Sequence, residues 1–279
     1  MINLLDIALL NCCTYSCDYC ISKASTATAV NYECNGLTKG IYATNGQTLK
    51  AAQLLNFINN HYRPDEVFIQ LSGGEPLLHD AFPFITEILY MHGYKVIINT
   101  NANQIPSMAR SLPIDTWPVY WRTSWHRDFR NIEHFLKDIE PIKNGKLLIN
   151  YVAHPKRIES GIIKKDIEDL EFTGLPYEVT AFQGKWNDKD YDKNTSIYKG
   201  IITGLSDKEI PAQECNYISI QTNGNLMRCH KVQIGNIYEN RFIERYPQAR
   251  QLCSYENGNT NCGLVQSLTL LGLINNTNG

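Results

Sequence analysis

The sequence has no excess of charge of either sign: 28 acidic against 26 basic residues leave a net charge of −2. A chain so balanced has no basic footprint for general binding to nucleic acid or to an anionic membrane surface. It also lacks any apolar run near the roughly 18 residues a membrane-spanning helix needs. The opening stretch, MINLLDIALLNCC, has no basic flank, no small-residue cleavage site, and Asp6 inside its apolar run, so it does not read as a secretory signal. No repeat of fixed period runs through the chain. We therefore expect a soluble, cytoplasmic protein with no membrane partner. With 43% apolar and 19% charged residues over 279 positions, it can bury a full enzyme-sized core.

Cysteine, by contrast, is present in quantity and unevenly spread. Of nine cysteines, Cys12, Cys13, Cys17 and Cys20 lie in the stretch NCCTYSCDYC, and Cys34 stands alone. Cys215, Cys229, Cys253 and Cys262 follow near the end. In a reducing compartment an odd, clustered set argues against a disulfide framework and for two metal sites.

Apolar patterning gives a strand at 3–10 that runs into the cysteine loop, a helix over 48–60, and a strand at 66–71. A helix follows SGGEPLLHD, with Asp80 as its expected N-cap and Gly93 as its stop. Strands at 95–101, 119–125, 146–154 and 177–182 alternate with helix-like segments. Six strand–helix units imply α/β architecture with parallel strands, too few for a closed barrel, hence a partial (βα)6 barrel over residues 1–185. Residues 186–210 read as a polar linker, and 211–279 as a small cysteine-rich unit with a β-hairpin turning at Asn223-Gly224. In such folds the chemistry gathers at the C-terminal strand ends, where the cysteine loop, SGGEP, TNAN and SWHRD all fall.

Cys13, Cys17 and Cys20 form Cys-x3-Cys-x2-Cys. Three thiolates on one short loop can hold three corners of a 4Fe-4S cluster and leave one iron open to a substrate or cofactor. Spacing alone also allows a zinc knuckle or an electron-transfer cluster. SGGEP, residues 72–76, brings two glycines that permit close backbone approach and a carboxylate, Glu75, suited to an ammonium group. Alone it favours a plain strand-to-helix turn enforced by Pro76. The C-terminal thiols suit an iron–sulfur cluster or zinc.

The run from Cys13 to Cys20, with Tyr19 before the last cysteine, resembles the signature of the radical S-adenosylmethionine (radical SAM) superfamily. SGGEP resembles that family's glycine-glycine-glutamate motif, TNA at 100–102 sits where relatives carry TNG, and TSWH at 123–126 resembles its fourth-strand segment. The resemblance covers roughly residues 5–185. It implies that Cys13, Cys17 and Cys20 hold a 4Fe-4S cluster whose open iron is chelated by S-adenosylmethionine. Tyr19, Gly73, Gly74, Glu75, Asn99 and Ser124 would contact that cofactor. An electron donor such as flavodoxin or ferredoxin would reduce the cluster, releasing a 5′-deoxyadenosyl radical that takes a hydrogen atom from substrate. GNLMRC and IGNIYE resemble the SPASM extension or its shorter twitch form. This implies one auxiliary cluster, expected as 4Fe-4S, on Cys215, Cys229, Cys253 and Cys262, although the last two stand farther apart than the usual pair.

Several strand residues are too polar for a strand buried on both faces. With Ser124 placed inward by that resemblance, period-2 alternation turns Tyr120 and Arg122 inward too, with Gln70 and Ser72, Asn99 and Asn101, Asn150 and His154, and Glu178 and Thr180 as companions. Gln70, Arg122, His126, Asn150 and Glu178 are the substrate-facing candidates. The competing reading pairs Arg122 with Glu178 and makes WRTSWHRDFR, with His126, Arg127 and Arg130, an exposed basic turn. The expected activity is radical oxidation or rearrangement of a small-molecule, nucleoside or peptide substrate, assisted by the auxiliary cluster. Because the chain opens on its first strand, a small molecule or nucleoside is favoured. A peptide cross-linking maturase and a non-catalytic zinc module are the alternatives.

Overall fold

The structure is a computed structural model describing residues 2–15, 17, 20, 32–34, 38–40, 48–182, 184–191, 195–202, 215–228, 232–239 and 241–242. The chain forms two compact units. One takes the described parts of 1–14, 28–99 and 207–261, and the other those of 15–27, 100–206 and 262–279.

The first unit is organised around β1 (Ile2–Leu10), which is sandwiched between two strands. It pairs in parallel with β4 (Phe68–Gly73) on one side and β11 (Cys215–Ile220) on the other. A strand so placed must be apolar on both faces, and Leu4, Leu5, Ile7, Leu9 and Leu10 are all buried. Two short strands, β2 (Tyr32–Cys34) and β3 (Thr38–Gly40), form a separate antiparallel pair. Helix α1 (Ala51–His61) buries Leu54, Leu55, Phe57 and Ile58, the one-sided stripe of a helix packed on a sheet. Helix α2 (Phe82–Met91) leads to β5 (Lys95–Thr100), parallel to β4.

The entry to α2 departs from the expected Asp80 cap, because Ala81 is the N-cap residue and makes no side-chain cap bond. The His79 ring holds this entry. Its Nδ1 accepts the Ala81 N–H at 3.1 Å, so Nε2 carries the proton and donates to the Leu49 carbonyl at 2.9 Å. Gly93 ends the helix as expected, with φ +86°.

From β11 the chain meanders through antiparallel β12 (Asn225–Arg228), β13 (Val232–Asn236) and β14 (Arg241–Phe242). The turn between β11 and β12 lies at Asn223-Gly224, as its residues suggest. Gly224 has φ +82°, and a Cβ there would meet the Tyr238 ring at 2.6 Å.

In the second unit, β6 (Tyr120–Ser124), β7 (Lys146–Ala153) and β8 (Tyr177–Ala181) form parallel ladders. Helices α3 (Ile105–Ala109), α4 (Ile132–Ile139), α5 (Pro155–Glu159) and α6 (Ile163–Phe172) connect and cover them. Asn131 caps α4 by accepting the His134 N–H at 2.9 Å.

The stretch expected as a plain linker contains a hairpin, β9 (Gly184–Trp186) and β10 (Lys189–Tyr191). Asn187 and Asp188 turn it with φ +47° and +61°, the paired positive angles of a type I′ turn. Among the described residues, no helix is long and apolar enough to cross a membrane.

Candidate active site

Where β1 leaves the sheet, its register against β4 shifts between Ala8 and Leu10, and the cysteine loop begins. The Gly-Gly turn closes against this point. Gly74 N–H donates to the Leu10 carbonyl at 2.9 Å, and Glu75 N–H to the Cys12 carbonyl at 2.6 Å. A Cβ on Gly73, which has φ +128°, would stand 2.4 Å from the Leu10 oxygen, and one on Gly74 2.1 Å from the Cys12 oxygen. The close approach expected of these glycines is therefore made to the backbone of the cysteine loop itself. Glu75 is fully buried and accepts the Leu77 N–H at 3.2 Å, capping the 3-10 turn Pro76–Leu78. Cys12 is buried and disulfide-bonded, against the expectation that the cysteines form no disulfides. Cys13, Cys17 and Cys20 are reduced thiols.

A polar group that the sequence reading passed over lies on the same unit. Asp6, the one charge in β1, accepts from Gln70 Nε2 at 2.9 Å and Ser72 Oγ at 2.6 Å. Its other oxygen accepts the Tyr217 hydroxyl at 2.6 Å. Gln70 is thus tied to Asp6, and a carboxylate between strands is stabilised by several donors at once. Asn99, near the end of β5, is partly buried.

In the second unit, Cys17 is 6% exposed and its sulfur lies 3.5 Å from His126 Nδ1. Tyr15 stands edge-on to the His126 ring at 5.5 Å and stacks on Phe129 at 4.5 Å. Its hydroxyl accepts from Arg130 Nε at 3.0 Å. Burial pushes His126 down to about 4, which leaves the ring neutral near pH 7.

The inward residues of β6, β7 and β8 form one connected network. Arg122 Nε donates to Glu178 at 2.6 Å and its Nη2 to Asn150 Oδ1 at 2.9 Å. Thr180 also donates to Asn150 Oδ1, at 3.3 Å, and Asn150 Nδ2 donates to Ser124 Oγ at 3.3 Å. A guanidinium has no acceptor, so the atom of Asn150 facing Arg122 must be its oxygen and the one facing Ser124 its nitrogen. Ser124 therefore accepts in this bond, and its own proton is not used in it. The pairing of Arg122 with Glu178, the competing reading of these residues, is what the geometry contains. His154 caps α5 through the Lys156 N–H and packs edge-on against Phe182 and Trp186.

The basic stretch after β6 does turn at the surface, with Asp128 and Phe129 exposed, but its arginines point into the protein. Asp166 on α6 is fully buried and receives Arg127 at 3.2 Å, Arg157 at 2.5 Å and the Tyr151 hydroxyl at 2.6 Å. Burial first, then the bond to Asp166, holds the Tyr151 phenol above its ordinary range. Arg130 pairs with Asp138 at 3.2 Å and also bonds Asn103. Arg127 and Arg130 thus spend their charge inside the protein, which the sequence reading did not anticipate.

Tyr19, Cys229, Cys253 and Cys262 lie outside the described residues, and of Cys215 only the backbone, at the start of β11, is described. Among the described residues, no three His, Cys, Asp or Glu side chains are gathered closely enough to hold a single metal ion. Cys13, Cys17 and Cys20 are reduced, as thiols that ligate an iron–sulfur cluster must be.

No protein-family profile matches the chain. A Methanocaldococcus jannaschii protein named as a glycyl-radical enzyme activating enzyme is 22% identical over 178 residues, 58% of this chain and 69% of that one. Aquifex aeolicus 7-carboxy-7-deazaguanine synthase is 27% identical over 128 residues, 46% of this chain and 47% of that enzyme. Streptococcus suis SuiB bound to S-adenosylmethionine superposes with a TM-score of 0.57 at 15% identity, covering 95% of this chain and 72% of SuiB. The chain shares the fold of SuiB. Its fold is the partial-barrel α/β fold of six parallel strands alternating with helices, followed by C-terminal antiparallel strands.

Proposed function

We propose that the enzyme cleaves S-adenosylmethionine reductively and uses the 5′-deoxyadenosyl radical to take a hydrogen atom from a small-molecule, nucleoside or peptide substrate. Cys13, Cys17 and Cys20 would hold a 4Fe-4S cluster with one open iron, which when bound supplies the electron for that cleavage. Gly73, Gly74, Glu75, Asn99 and Ser124, with Tyr19 from the cysteine loop, would contact the cofactor. A flavodoxin or ferredoxin would serve as electron donor. Cys215, Cys229, Cys253 and Cys262 would hold one auxiliary cluster in a twitch-like extension, favouring a net two-electron oxidation.

The observation that carries this reading is how the cysteine loop is seated. Its start is fixed by main-chain bonds from Gly74 and Glu75 to Leu10 and Cys12, and Cys13, Cys17 and Cys20 stay out of disulfides. Metal binding then needs no rearrangement of the strand that carries the loop. The proton polarity of Ser124, set by Asn150, suits an acceptor oxygen on the cofactor.

Anaerobic reconstitution with iron and sulfide, followed by reduction in the presence of S-adenosylmethionine, tests the reading. Brown protein that forms 5′-deoxyadenosine is expected, with formation abolished in Cys17→Ala. Colourless zinc-loaded protein, or undiminished 5′-deoxyadenosine from Cys17→Ala, would overturn it.

A further inference from the structure

His126, expected at the substrate or in an exposed basic turn, instead meets the sulfur of Cys17. We infer that His126 donates a hydrogen bond to the Cys17 sulfur and thereby raises the potential at which the 4Fe-4S cluster accepts its electron. The inference rests on the assignment of Cys17 as a cluster ligand.

The direction of the bond follows from valence. A sulfur bound to iron carries no proton and can only accept, so the nitrogen facing it must be the donor. At 3.5 Å from the sulfur, Nδ1 is that nitrogen.

The ring is also held in place. Tyr15 meets it edge-on at 5.5 Å and 73°, while Phe129 stacks on Tyr15 within 9° of parallel. Arg130 fixes the Tyr15 hydroxyl at 3.0 Å and is itself anchored by Asp138 at 3.2 Å. The carbonyl of His126 accepts the N–H groups of Phe129 and Arg130, both at 3.0 Å, which fixes its backbone as well. Such orientation of a partner around a ligand is what makes its hydrogen bond effective.

A donor beside a cluster sulfur stabilises the state with more negative charge. Reduction adds one electron, so the reduced state gains more than the oxidised one, and the potential moves upward. For an enzyme that must accept a low-potential electron, this eases loading of the cluster.

The test is a redox titration of the reconstituted enzyme, following the electron paramagnetic resonance signal of the reduced cluster. His126→Phe keeps a ring and removes the N–H, while His126→Asn offers an amide N–H close to the Nδ1 position. At a fixed applied potential, the reduced-to-oxidised ratio is expected to fall about tenfold in His126→Phe, the scale of one hydrogen bond to a charged acceptor. It should return toward wild type in His126→Asn. A His126→Phe enzyme with full iron and sulfide and an unchanged ratio would overturn the inference. If His126→Phe cannot retain the cluster, His126→Leu decides: a tenfold fall with full iron supports the bond, and an unchanged ratio with full iron refutes it. Wild-type protein that binds no cluster would instead refute the assignment of Cys17.

Discussion

Gly74→Ala would set a methyl group 2.1 Å from the Cys12 carbonyl oxygen, 2.4 Å from its carbon and 2.8 Å from its nitrogen. Gly74 is not among the glycines with positive φ, so the penalty is one of contact and not of backbone strain. Ordinary contact begins at 3.4 Å, so β4 and the loop must separate by more than about 1 Å. That movement breaks the bonds from Gly74 N to Leu10 O at 2.9 Å and from Glu75 N to Cys12 O at 2.6 Å. Two hydrogen bonds at about 0.5–1.5 kcal/mol each, with about 1–3 kcal/mol for overpacking, give a loss of about 2–6 kcal/mol. Against a total of roughly 5–15 kcal/mol for a domain, this is a severe lesion. Denaturant unfolding of the anaerobic protein should register it, with reduced iron retention. Gly145→Ala is the control, since its nearest contact is the Ile142 oxygen at 3.2 Å. A Gly74→Ala protein within about 1 kcal/mol of wild type and with full iron would refute the seating argument.

Asp166→Asn should cost about 3–5 kcal/mol in unfolding free energy, because it strips two arginines of a buried partner; a loss under about 1 kcal/mol would show the network to be dispensable. Arg122→Met should be comparably destabilising, as the Glu178 side chain is 0% exposed. The double variant Arg122→Met/Glu178→Leu should recover most of that loss, and failure to recover would mean that the pair is not the origin of the cost. Ser124→Ala and Asn150→Ala should each weaken S-adenosylmethionine binding roughly five- to tenfold in equilibrium dialysis; unchanged binding would remove Ser124 from the cofactor site. Cys215→Ala/Cys229→Ala should hold about four fewer irons per chain, and an unchanged iron content would rule out an auxiliary cluster on those residues.

What the sequence made legible is what near neighbours determine. The apolar run of β1, the stripe Leu54, Leu55, Phe57 and Ile58 of α1, and the turn at Asn223-Gly224 all follow from local periodicity or turn chemistry. The hairpin Gly184–Tyr191 was missed because its strands carry no apolar alternation, although Asn187-Asp188 is a turn signal. Asp166 was illegible for a different reason. It lies on a largely polar helix, and its burial depends on Arg127, 39 positions away, as much as on Arg157, nine positions away. Asp6 owes its role to Tyr217, 211 positions distant. Inward alternation correctly put Arg122, Asn150, Glu178 and Ser124 together, but it could not say that they would satisfy one another.

The two ends of the cysteine loop are held by different chemistry, and this separates the effects of damaging them. The first end is seated by main-chain bonds to Leu10 and Cys12, which any residue sequence could supply provided that positions 73 and 74 carry no side chain. The far end is met by side chains, with Tyr15 against His126 and Phe129, and His126 against Cys17. Substitution of a glycine therefore moves backbone that belongs to a buried ladder, and the cost falls on folding. Substitution of His126 removes a contact at a partly buried ring while Trp125 keeps the local chain in place, its N–H bonded to the Asn150 carbonyl at 2.8 Å and its Nε1 to the Arg130 carbonyl at 2.9 Å. On the proposed reading its cost falls on the cluster that Cys17 would ligate. The seating of the loop and the tuning of its cluster can then change independently: a glycine variant should lose stability and iron together, and a His126 variant should keep both while its reduction behaviour shifts.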